Sequence, residues 1–150
     1  MPRVWRNAIF TALLAQLQTV QMPASPGNVV LWSQRFVPWE TCDAQPAVML
    51  LEGPQTTMQK TWGQPQWRFK ALVLVYFQTD PSLDGTIPAQ QVNDVVDAFE
   101  AALAPPVQGA HQNLGGTCVH AFVEGDVVFE DGSTDRTNQA LISIPITIVA

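Results

Sequence analysis

The sequence predicts an α+β protein, a mainly antiparallel sheet of about five strands with two helices packed on it. Three observations predict it. Apolar residues recur at steps of three and four in two segments, one near the N-terminus and one around residues 88–103. Elsewhere, runs rich in β-branched and aromatic residues alternate with a period of two. Pro-, Gly- and Asp-containing turn clusters separate these runs, and no repeat, linker or low-complexity tract interrupts the 150 residues, a length suited to one domain over 1–150.

The first helix is expected over about residues 3–20, with Trp5, Ala8, Ile9, Ala12, Leu13, Leu17 and Val20 on one stripe. Pro23, Pro26 and Gly27 end it. Arg3 and Arg6 before the apolar stretch give it a faint leader-like character, but Asn7, Gln16 and Gln18 break the run, which reads as a helix of the mature protein. A strand follows at about Val29–Phe36, then an ordered loop to Pro46, then a short strand Ala47–Glu52 stopped by Gly53-Pro54. Residues 54–65 form the polar tip of a hairpin.

Gln66–Thr79 carries the strongest strand pattern: Trp67, Phe69, Ala71, Val73, Val75 and Phe77 share one face, while Leu72, Leu74 and Tyr76 make the middle of the other apolar too. Covered on both sides at its centre, this strand belongs inside the sheet. After the Asp80–Gly85 turn cluster, Pro88 opens a helix whose buried stripe is Val92, Val95, Val96, Phe99, Ala102 and Leu103, with Gln90, Gln91, Asp94, Asp97 and Glu100 on the wet side. Pro105-Pro106 stops it. A strand over Thr117–Glu130 places Val119, Ala121, Val123, Val127 and Phe129 inward, with a bend at Gly125. The closing strand, Gln139–Val149, buries Ile142, Ile144, Ile146 and Ile148; Pro145, which lacks a ladder donor, places it at an edge or at a bulge.

Composition narrows the function classes. The chain is 47% hydrophobic and 13% charged with a net charge of −6, the reverse of a disordered acidic tail and without the basic surplus of a nucleic-acid binder. The longest wholly apolar run, Ala71–Phe77, is far too short to span a bilayer. Cys42 and Cys118 form no disulfide framework and read as free thiols from a reducing compartment. Cys118 and His120 share a strand face, but a zinc site needs three or four ligands and His111 offers no partner spacing, so a half-exposed pair is the simpler reading. No Gly-x-Ser-x-Gly turn, Walker pattern or catalytic cysteine setting is present, and the expectation is a protein that is not an enzyme and needs no cofactor. Glu124, Asp126 and Glu130 project from one strand face, Asp94, Asp97 and Glu100 from one helix; a solvated surface accounts for both groups.

Large aromatics in irregular segments, Trp39 and Trp62 above all, suit either folding back on the core or contact with another protein. The stretches Arg35-Phe36-Val37-Pro38-Trp39-Glu40 and Asp43-Ala44-Gln45-Pro46-Ala47 resemble a family of small tail proteins of long-tailed bacteriophages. So do the long strand running into Pro81, the acidic helix ending Ala101-Ala102-Leu103, the Leu114-Gly115-Gly116 turn and the closing Ile144-Pro145-Ile146. The order of elements is similar to that of the tail terminator, or tail-completion, proteins, from about Arg3 to Val149.

That resemblance implies a structural role in the virion neck, assembled in the host cytoplasm. Such proteins form a hexameric ring on the head-proximal end of the tail tube, stop its growth and present a surface to the head-side connector. DNA would pass the lumen without specific binding. Trp39, Lys60, Trp62 and Pro145 are then candidate interface residues, and Glu124, Asp126 and Glu130 candidate acidic groups of the lumen or ring face. The alternatives are another neck or connector-adapter protein, or a small α+β enzyme or ligand-binding dimer.

Overall fold

The computed structural model describes residues 6–24, 26–58, 65–78, 87–130 and 139–150. Two helices, α1 (Arg6–Leu17) and α2 (Ile87–Ala102), accompany six strands: β1 (Leu31–Ser33), β2 (Ala47–Met58), β3 (Gln66–Gln78), β4 (His120–Val123), β5 (Val128–Glu130) and β6 (Gln139–Val149). They form one sheet in the order β1-β2-β3-β6-β4, with β5 also beside β6. The class is α+β and the sheet mostly antiparallel, with six strands rather than five. The extra strand arises because the stretch expected to run through Thr117–Glu130 breaks into β4 and β5.

One face of the sheet carries both helices. Ile9, Phe10, Leu13 and Leu17 of α1 and Val92, Val95 and Phe99 of α2 meet Phe69, Val73, Val75 and Phe77 of β3 and the four isoleucines of β6. Phe69, Phe77 and Phe99 are fully buried, so truncating any of them to Ala costs about 3–5 kcal/mol in lost transfer energy and cavity. α2 stops at Ala102, ahead of Pro105-Pro106, as the sequence requires. Gln91, expected on its wet side, is buried instead.

The opposite face is covered at one end only. Segment 34–46 crosses it on the way from β1 to β2, because the two strands run parallel and a parallel pair cannot be joined by a tight turn. Val37 and Cys42 of this crossover pack on Ala47, Met49, Leu74 and Tyr76, and the Tyr76 hydroxyl donates to the Val37 carbonyl at 3.0 Å. The parallel pairing also shortens β1 to three residues, against the eight expected from composition. β2, by contrast, runs past Gly53-Pro54 to Met58. A register shift between Glu52 and Gln55 absorbs the proline's missing donor. Gly53 lies within this shift, where a Cβ would stand a tight 3.1 Å from the Lys70 Cβ.

β3 is internal, as its two apolar faces require, but so is β6, which pairs with β3 on one side and with β4 and β5 on the other. Pro145 therefore lies inside the sheet and not at an edge. Its carbonyl accepts from the Glu124 N–H at 3.1 Å, so the side lacking an N–H faces the bend between β4 and β5, outside both ladders. Gly125 makes that bend at φ +113°, and a Cβ there would approach the Pro145 Cγ to 3.2 Å. Gly125→Val is expected to destabilise the protein by about 1–3 kcal/mol, read from the urea midpoint at unchanged slope, because strain and overlap coincide at one residue.

Candidate functional site

The two ends of the sheet are where the surface departs from an ordinary polar exterior. Pairing aligns five strands in a row: Leu31, Ala47, Tyr76, Leu141 and Glu130 on the first level, and Trp32, Val48, Val75, Ile142 and Phe129 on the second. On the third are Ser33, Met49, Leu74, Ser143 and Val128. β1 and β5 are thus opposite ends of one ribbon, at the same height and of the same length. Among the described residues each pairs on one side only.

Among the described residues six large apolar side chains are exposed, and four of them flank these two edges. Val30 and Phe36 bracket β1, and Val128 and Phe129 belong to β5; Val119 lies before β4, opposite Val149 at the far end of β6. Phe36 is 60% and Phe129 51% exposed, large values for phenylalanine in a chain that buries Phe10, Phe69, Phe77 and Phe99. Trp32 on β1 is half-buried, resting edge-on against Phe99 at 6.5 Å between ring centroids. Proteins blunt a sheet edge with lysine, proline or a covering element, and within β1 and β5 neither Lys nor Pro appears. Charge differs between the ends: exposed Arg35 follows β1, whereas Asp126 and Glu130 are exposed at the β5 end.

The sequence-predicted candidates fall unevenly around this geometry. Glu124, Asp126 and Glu130 do not share the face of one strand, because the chain bends between β4 and β5. Glu124 sits with Lys70 Nζ at 3.3 Å and Arg68 Nη1 at 3.7 Å from its Oε1, so its charge is offset by two cations. Lys70 also donates to the fully buried Thr147 hydroxyl at 2.7 Å. Asp126 and Glu130 stay in solvent. Trp39 lies in a short 3-10 turn of the crossover, and Lys60 and Trp62 lie outside the described residues. Phe129 shares the face of Ala121, as alternation expects, since their partners Ile142 and Ile148 both belong to the helix-side core; it is exposed because β5 ends the sheet, and Val119, just before β4, is exposed too.

A second feature lines the edge of β4. His120 stacks on Phe122 and meets His111, each at 4.7 Å between ring centroids, and its Nδ1 accepts the Gln112 N–H at 3.1 Å. The Ala121 N–H donates to the Gln112 carbonyl, so the loop after α2 closes part of this edge. A groove of about 330 Å³ runs alongside, where Glu100 and His120 are the titratable lining residues and Leu103, Pro105 and Val123 the apolar ones. Among the described residues no group of three His, Cys, Asp or Glu could hold a metal ion. No described helix is long and apolar enough to cross a membrane.

Neither Cys42 nor Cys118 forms a disulfide among the described residues. Burial pushes the Cys118 thiol up to about 11, which keeps it protonated and unreactive at neutral pH. Compared with known proteins, the chain matches no family model and no curated sequence.

Two outcomes check this chemistry. Alkylation of Cys118 by iodoacetamide is expected to be slow at pH 8 and to accelerate as pH approaches 11, followed by mass spectrometry. Burial, reinforced by Cys42 and Glu40, raises the Tyr76 phenol, so its neutral form is favoured in the folded state. Its contribution is then intact below about 10 and is lost as pH rises through the higher folded value. Tyr76→Phe should flatten that alkaline loss in a pH series of urea midpoints, while costing about 1 kcal/mol at neutral pH for the Val37 bond.

Proposed function

We propose that this protein is a structural assembly component of the tail-terminator kind, with no catalytic role. Copies associate head to tail into a ring, hexameric as in the family it resembles. The ring caps the head-proximal end of a phage tail tube, stops tube growth and offers its other face to the head connector. One observation carries the reading: two unlike apolar patches stand at opposite edges of one sheet. An isologous dimer uses one patch twice; a heterologous ring needs two that differ and face apart.

The charge balance supports the same reading. A ring of subunits at −6 each repels the phosphate backbone, so duplex DNA crosses the lumen without being held. Of the three candidate acids we assign Glu130 to the lumen or ring face, since Glu124 is already paired with Lys70.

Tail length in lysates of the encoding phage with this gene deleted tests the proposal by negative-stain microscopy. Overlong tails without heads are the expected result. Tails of normal length that fail to bind heads would move the protein to the connector side, and intact infectious particles would overturn the assembly role.

A further inference from the structure

We infer that neighbouring copies join by continuing one sheet from subunit to subunit, β5 of one copy pairing with β1 of the next. This rests on the head-to-tail reading above and assigns the contact that makes it. The occupant of each edge is a second copy of this chain, argued from direction, register and charge.

Direction comes first. β1 runs with β2, and three successive antiparallel pairings, β2 with β3, β3 with β6 and β6 with β5, leave β5 running opposite to β1. A subunit placed edge to edge therefore meets its neighbour antiparallel, the commoner and slightly more stable pairing.

Register follows from the shared row. At equal height Leu31 of one copy faces Glu130 of the other, Trp32 faces Phe129, and Ser33 faces Val128. Trp32 and Phe129 lie on the helix-bearing face, in the row that includes buried Val48, Val75 and Ile142, so the joint sets two large rings side by side as a cross-strand aromatic pair. Beyond the ladder the chain turns at both ends, and Arg35, just after β1, and Asp126, just before β5, flank the same end of the joint. Both are exposed, and neither has an ion-pair partner among the described residues. The unlike charges stand where the joint brings them together. Val30 and Phe36 extend the apolar margin on the β1 edge.

The experiment uses the full-length chain with Cys118→Ser, carrying Ser33→Cys and Val128→Cys together, oxidised and run without reductant. A ladder of covalent multimers is expected, and a variant with only one of the two introduced cysteines should not extend past a dimer, the remaining Cys42 being buried. Mass photometry gives the second readout. Phe129→Arg should raise the concentration midpoint of assembly by more than about tenfold, as loss of a central aromatic contact does. Arg35→Glu should weaken assembly and Asp126→Arg in the same chain should restore it. A mixture of Phe129→Arg and Trp32→Arg proteins, each keeping one sound edge, should give one-to-one dimers and nothing larger. If the wild type assembles but these variants leave assembly unchanged and no ladder forms, the edge joint is overturned while the ring reading stands. A wild type that stays monomeric at every concentration overturns both. Edge-dependent assembly in a phage whose tails are normal without the gene would keep the joint and remove the terminator role.

Discussion

The ladder between β3 and β6 is the constraint on which the rest of the molecule depends. It runs unbroken from Arg68 opposite Val149 to Gln78 opposite Gln139; β2, β4 and β5 attach to one of its two members, and β1 joins through β2. Because both faces of β3 are apolar in the middle, hydrophobicity there cannot fix the register; a slip of one residue would exchange Val73 and Val75 for Leu72 and Leu74 at little loss. The polar end does that work. Lys70 stands opposite Thr147 and bonds its hydroxyl at 2.7 Å, and a slip would turn the ammonium toward the helices. With the register held, the isoleucines of β6 are committed to the helix face. The surface on which α1 and α2 settle is then defined.

What could be read in the sequence follows the range of the forces involved. Both helices were legible because the 3.6-residue stripe records local packing: Ile9, Leu13 and Leu17, then Val92, Val95 and Phe99, point where that period puts them. β3 was legible as an internal strand because burial on two sides is written into its own residues. The parallel pairing of β1 with β2 was not, since composition says that a strand forms and nothing about which neighbour it meets. Pro145 misled for a related reason. A missing donor excludes a ladder bond on one side at one residue, not an internal position, and Gly125, twenty residues earlier, removes the need for that bond.

The candidate site was less legible than the fold. Alternation gives Phe129 its correct face, the one that carries the helices, and only the strand order reveals it as surface, because β5 ends the sheet. Phe36 and Val128 carry no signal that separates an exposed apolar residue from a buried one, because exposure depends on which strands end the sheet. Trp39, chosen because loop tryptophans often serve contacts, lies in the crossover that seals the second face. The acidic triplet dissolved for a different reason: Glu124 met Arg68 and Lys70 from a strand that lies more than fifty residues earlier in sequence.

A head-to-tail joint generates a screw operation, and the pitch of that screw decides whether copies close or climb. In this chain the two edges lie on one row of paired residues, so a continuous sheet would carry no register step along the strands from copy to copy. Had β1 paired with the far end of β2, near Met58, each joint would add an axial offset of several residues and the assembly would grow as a filament. The parallel crossover 34–46 is what returns the chain to the near end, at Ala47. An element that looks like a detour in the connectivity thus leaves the angle between neighbours, twisted by the sheet itself, as the quantity that decides closure.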